Sequence, residues 1–133
     1  MKKTLLAVGL ALTLGGGYSL SAFAQAKPEA LAKQREAAMT LMSKYFGPLG
    51  LMNAGKMPFN AEVVKRNAGY LDVLTQMPWD GFDESTKDVK SRAQPAVYSN
   101  AAGFKTAQGK LRAGVGKLVA ANGDEAGSKA SIK

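Results

Sequence analysis

Residues 27–42, KPEALAKQREAAMTLM, decide how the rest of this chain is read. Pro28 suits the first helical position, where its missing N–H costs nothing, and Glu29 stands where the positive end of the helix dipole favours an acid. From there Leu31, Arg35, Ala38, Met39, Met42 and Phe46 recur at spacings of three and four, which predicts a helix from Pro28 to about Phe46 with one apolar stripe. That stripe contains a single guanidinium. An arginine on an apolar face either packs its stem and keeps its head in water, or offers its planar fork to a carboxylate or phosphate. Arg35 and Met39 lie one turn apart, so one flat ligand can meet both.

Working outward, Gly47-Pro48 is expected to end or kink this helix, with Leu49–Ala54 as a further turn. A second helix opens at Asn60, a good N-cap, with Glu62 in its first turn and Val64, Ala68, Leu71 and Leu74 facing inward. Met77-Pro78 stops it, because the residue before proline avoids the α region. Trp79–Tyr98 then reads as a long mixed-charge connection crossing between two helical hairpins, with Trp79 and Phe82 tucked against the core. A third helix begins near Ser99-Asn100 and runs to about Ala121, its stripe formed by Phe104, Ala107, Leu111, Val115, Leu118 and Val119. Gly103, Gly109, Gly114 and Gly116 weaken it by up to about 1 kcal/mol each relative to alanine. Asn122-Gly123 is a stop signal and Asp124 caps a fourth segment, which the sequence carries for about two turns, Ser131-Ile132-Lys133 falling inside a helix. The fold expected is all-α, an antiparallel four-helix bundle whose fourth helix is incomplete.

Upstream, Lys2 and Lys3 precede the apolar run Leu5–Leu14, then Gly15–Gly17 and the small-residue site Ala22-Phe23-Ala24. This is the layout of a signal peptide over residues 1–24, too short in its apolar run to span roughly 30 Å of hydrocarbon. No later stretch reads as a membrane span. Residues 25–133 form one domain of 109 residues, carrying 16 basic against 10 acidic side chains. With no cysteine the fold rests on packing alone. The basic excess favours acidic partners, yet no Lys/Arg run exceeds Lys65-Arg66, so nucleic acid is not expected.

The absence of histidine and cysteine removes an imidazole base, a thiolate nucleophile and a zinc cluster, and no other catalytic constellation stands in their place, so an enzyme is not expected. Residues 50–56, GLMNAGK, match the start of a phosphate-binding loop, but Met57 replaces the magnesium-binding hydroxyl and no strand precedes Gly50.

The first-helix motif, with its Lys-Pro-Glu opening, Arg35 and bulky Met39, resembles the cytochromes c′, four-helix-bundle haem proteins of bacterial periplasms. Asn60–Trp79 is similar to that family's second helix and its Leu/Met-Pro-Trp ending. Gln94–Tyr98 resembles the Pro-x-Ile-Trp segment before the third helix, and Ala101–Lys105 that helix's start. The resemblance implies haem c as cofactor, Arg35 paired with a haem propionate, Glu36 beside the porphyrin edge and Met39 covering the distal face. It further implies Phe82, Phe104 and Trp79 lining the pocket and Arg92 reaching the propionates. It implies a periplasmic protein that carries electrons or binds nitric oxide or carbon monoxide at a five-coordinate iron. A homodimer through the first two helices and small electron-transfer partners also follow from it. The family attaches its haem through a Cys-x-x-Cys-His in the last helix, which this chain lacks, so covalent attachment is impossible in the chain as written. The simplest expectation is a sequence that stops before that segment. The alternative is a haem-free periplasmic binding protein using an open apolar groove.

Overall fold

The computed structural model describes residues 26–132; the signal-peptide reading falls on residues outside these. Among the described residues there are five α-helices: α1 (Pro28–Asn53), α2 (Ala61–Leu74), α3 (Ala96–Ser99), α4 (Ala101–Ala121) and α5 (Glu125–Ser131). Helices α1, α2, α4 and α5 are the members of a four-helix bundle; α3 is a single turn, and two 3₁₀ turns, Asp80–Phe82 and Glu84–Thr86, punctuate the crossover. There is no strand among the described residues.

Helix α1 does not end at Gly47-Pro48. It runs through Pro48 to Asn53. An interior proline costs about 3 kcal/mol. Beyond it, however, Leu49 is fully buried and Met52 nearly so, and each such side chain contributes about 1.5–3 kcal/mol by leaving water. Burial therefore outweighs the lost hydrogen bond. The continued helix carries its core register on Met42, Leu49 and Met52, which leaves Phe46 to one side and 40% exposed rather than in the stripe. The glycines and lysine of the loop-like 50–56 motif accordingly serve as a helix end and a turn, with Gly55 at φ +68°.

Asn60 caps α2 as expected, its side chain accepting from the Val63 amide at 3.0 Å. Val64, Ala68 and Leu71 face inward, joined by Asn67, which the spacing of apolar residues does not reveal. The Asn67 amide is buried and donates to the Tyr45 carbonyl at 2.9 Å, tying α2 to α1 through a satisfied polar group. The helix ends at Leu74 with Thr75 as its cap, one turn before Met77-Pro78.

Asn100 caps α4 by accepting from the Gly103 amide. At the other end Asn122 (φ +49°) and Gly123 (φ +82°) turn the chain in the left-handed region. The positive φ favours glycine at 123, and a Cβ there would also be tight, 3.1 Å from the Ala61 carbonyl. Asp124 then caps α5 by accepting from the Gly127 amide at 2.8 Å. The core of Met42, Leu49, Met52, Val64, Ala68, Leu71, Val115 and Leu118 lies where α1, α2 and the C-terminal half of α4 meet. The α4 stripe is covered unevenly. Val115 and Leu118 are buried and Phe104 is half-buried, whereas Ala107, Leu111 and Val119 are exposed, since no described element lies over them.

Candidate functional site

Arg35 is the chemically distinctive residue of the interior. It projects from the second turn of α1 and is only 2% exposed. The two N–H groups of its Nη1 are shared among the Gly81 carbonyl (2.6 Å), the Thr86 hydroxyl (2.8 Å) and the Tyr98 hydroxyl (2.9 Å), and its Nη2 donates to the Ser91 hydroxyl (2.6 Å). The guanidinium carbon stands 4.8 Å over the Phe82 ring, a cation–π contact. All four acceptors belong to the crossover between α2 and α4. One side chain thus gathers residues 81–98 onto α1, and the expected long loop is in fact pinned.

The acceptors are themselves organised. Thr86 accepts from Arg35 and lies 2.7 Å from the Asp83 carbonyl, which takes its proton, and 2.9 Å from the Tyr98 hydroxyl. Asp83 caps the second 3₁₀ turn through the Ser85 amide. Hydrogen bonds from the Ser85 side chain and amide favour its ionised form and hold the Asp83 carboxyl below the usual range. A lowered folded-state value means that this contribution is present above the ordinary carboxylate pKa and fades as pH falls through the lowered one. Gly81 permits the closest approach in the site: a Cβ there would lie 2.7 Å from Arg35 Cβ and 2.9 Å from the Leu31 carbonyl.

Every acceptor of Arg35 is neutral. Among the described residues the ion pairs are Lys65–Glu62, Lys87–Glu84 and Lys129–Glu125, all exposed, and none reaches this guanidinium. The Arg35 Nε–H and one Nη2–H have no acceptor among the described residues. A buried cation without a counter-charge creates a local preference for an anion.

A cleft of about 650 Å³ opens beside it, lined by Arg35, Glu36, Met39, Thr40, Ser43, Phe82, Ser91, Arg92 and Ala93. The structure therefore brings together five of the six residues singled out from sequence: Arg35, Glu36, Met39, Phe82 and Arg92. Phe104 stands behind them instead. Its ring packs edge-on against Phe82 at 4.8 Å and against Trp79 at 6.0 Å, so it supports the cleft wall without lining it. Trp79 is likewise in that second row, 6.2 Å from Phe82, and its indole N–H donates to the Thr75 carbonyl at 2.6 Å. Gly81, Thr86, Ser91 and Tyr98 are the members that sequence reading misses. Their only signal was the unusual length of the crossover.

No group of His, Cys, Asp and Glu able to hold a metal ion occurs among the described residues. The cleft can receive a flat ligand with an apolar face and an acidic edge.

A family model described as cytochrome c′ matches residues 30–133. The cytochrome c′ of Rubrivivax gelatinosus is 40% identical over 109 residues, covering 80% of this chain and 84% of that one. The cytochrome c′ of Alcaligenes xylosoxydans xylosoxydans is 36% identical over 96 residues, 72% of this chain and 74% of the relative. The crystal structure of the Rubrivivax gelatinosus protein superposes with a TM-score of 0.74 at 39% identity, covering 80% of this chain and 86% of that chain. A ferrous variant of cytochrome c prime from Alcaligenes xylosoxidans with bound NO superposes at 0.70 and 35% identity, over 80% and 84% of the two chains.

Replacing Arg35 by Met removes the charged donor while keeping bulk. Charged hydrogen bonds contribute about 1.5–3 kcal/mol each and are not additive, so an overall loss of about 3 kcal/mol is expected. Denaturant unfolding measures it. Amide exchange should accelerate most over residues 81–98; unchanged exchange there would contradict the pinning role.

Proposed function

This chain belongs to the cytochrome c′ family, and on that footing we propose that it works as a periplasmic haem protein, carrying electrons or binding nitric oxide or carbon monoxide at a five-coordinate iron. The observation that supports this most is the buried, acid-free guanidinium of Arg35 on a cleft with one thioether and one aromatic wall. Haem c, when bound, supplies an iron that takes and gives one electron and receives a gas ligand.

The residues present fit part of that group. Arg35 has two N–H groups without acceptors among the described residues and Arg92 lines the same cleft, so both suit the carboxylates of an acidic porphyrin edge. Met39 is half-buried on the cleft wall and offers a polarisable, apolar surface to a macrocycle face. Phe82, braced by Phe104 and Trp79, forms the apolar far wall. Glu36 sits at the mouth, where its charge limits how far a second acidic group can enter. The iron's own ligand and the thioether attachment are not fitted, because the chain contains neither histidine nor cysteine. In this reading they come from a Cys-x-x-Cys-His segment outside these 133 residues.

The outward face of the α1–α2 pair supports a homodimer. Leu41, Tyr70 and Val73, with Met77 just past the end of α2, are each 41–56% exposed, and the Tyr45 and Tyr70 rings, 4.7 Å apart, join the two helices. A two-fold axis would bury the same apolar patch on both copies.

Reading the source DNA past the codon for Lys133 tests the haem assignment. An in-frame Cys-x-x-Cys-His, with covalently bound haem in the product, is expected; a stop codon would leave a haem-free binding protein. For the dimer, sedimentation equilibrium should give twice the chain mass, and Val73→Lys should weaken association at least about tenfold by placing charge in an apolar contact. A monomer at high concentration would contradict it.

A further inference from the structure

We propose that the outer face of α4 is a docking surface for an acidic protein partner. Across Ala101–Ala121 the helix carries Lys105, Lys110, Arg112 and Lys117 and not one aspartate or glutamate. All four cations are exposed, and none forms an ion pair among the described residues. Elsewhere acids are interleaved with the cations. Lys65 pairs with Glu62 on α2 and Lys129 with Glu125 on α5, while α1 carries Glu29 and Glu36. An ordinary solvated helix face mixes signs in this way, because pairs three or four apart stabilise it. On α4 that option is not used.

The placement of the cations is also ordered. Lys105 and Arg112 are seven residues apart and share one side of the helix, and Lys110 and Lys117 share another. The outward arc between these two rows is Ala102, Thr106, Gly109, Ala113, Gly116 and Ala120, all exposed. Gly109 and Gly116 are helical and have nothing within 4 Å of where a Cβ would be. Neither the backbone nor internal packing asks for glycine there, although glycine weakens a helix. Flanking positive rows with a low track between them allow an acidic surface to approach the helix closely.

Charge complementarity selects an acidic partner, and the short side chains select a protein over a lipid surface. A helix that lies on a membrane inserts large apolar residues such as Trp, Phe or Leu between its cations. This arc has none. A second copy of the same face is excluded by like charge.

The position also suits electron exchange. Arg112 donates to Gln76 at 3.4 Å and lies 5.9 Å over the Trp79 ring. Trp79 in turn packs 6.2 Å from Phe82, which lines the Arg35 cleft. One edge of the docking face is therefore linked by aromatic contacts to the cleft. This last clause rests on the haem reading above; the docking itself does not.

The test is titration of the ¹⁵N-labelled chain with an oligoglutamate peptide, and separately with phosphatidylglycerol vesicles, as ionic strength is raised. The expected result is salt-sensitive binding of the peptide with amide shifts concentrated in residues 101–121. Joint replacement Lys105→Glu, Lys110→Glu, Arg112→Glu and Lys117→Glu should weaken it at least about tenfold. The control Lys27→Glu, Lys33→Glu, Lys44→Glu and Lys56→Glu, equal in charge change, should weaken it less than about twofold. Shifts spread equally over α1 and α4, or equal losses in the two variants, would mean diffuse attraction and overturn the proposal. Tighter binding to vesicles through the same amides would replace the protein partner by a membrane. Docking without electron exchange in the haem-loaded protein would leave the surface standing and count against the haem reading alone.

Discussion

A guanidinium buried among neutral acceptors is the constraint on which the site depends. Arg35 cannot leave water cheaply, so its N–H groups must be met. The chain meets both Nη1 N–H groups and one Nη2 N–H with a carbonyl and three hydroxyls drawn from residues 81–98, and leaves the other two N–H groups without an acceptor among the described residues. That requirement converts a long connection into an ordered wall. It brings Phe82 over the guanidinium, sets Ser91 and Arg92 at the cleft mouth and makes glycine the only residue that fits at position 81. Because no carboxylate among the described residues pairs with it, the same side chain that orders the crossover places a cation without a counter-charge on the cleft wall.

Packing divides the labour along the bundle. The fully buried core joins α1, α2 and the C-terminal half of α4, where Leu49, Val64 and Leu118 are almost without exposure. It is firm enough to hold α1 helical through Pro48. The other end is built from larger, looser parts: Met39, Phe82, Phe104 and Trp79 are only half-buried. A rigid end thus carries a roomier end, and the candidate site occupies the latter.

Much of this was legible in the sequence, for reasons that are local. Pro28 and Glu29, the caps at Asn60 and Asp124, and the Asn122-Gly123 stop act within a turn of chain, so their chemistry can be read in place. Arg35, Glu36 and Met39 fall within about one helical turn, and the helical period alone places them along one wall. Gly81, Thr86, Ser91 and Tyr98 meet Arg35 across 46 to 63 residues with no periodicity to betray them. Asn67 was hidden because its burial depends on a carbonyl of another helix. Phe46 was misplaced because local turn chemistry at Gly47-Pro48 was overruled by the burial of Leu49 and Met52.

Recognition of the acidic edge of a porphyrin by the Arg35 cleft, as proposed above, is open to direct test. Trp79, the single tryptophan of the chain, stands one ring behind the cleft wall and reports its occupancy by fluorescence. The direct measurement is titration with iron-free protoporphyrin as the free diacid and as its dimethyl ester. The diacid is expected to bind at least about tenfold tighter, since only it offers carboxylates to a guanidinium whose acceptors among the described residues are all neutral. Equal affinities for the two forms would contradict it.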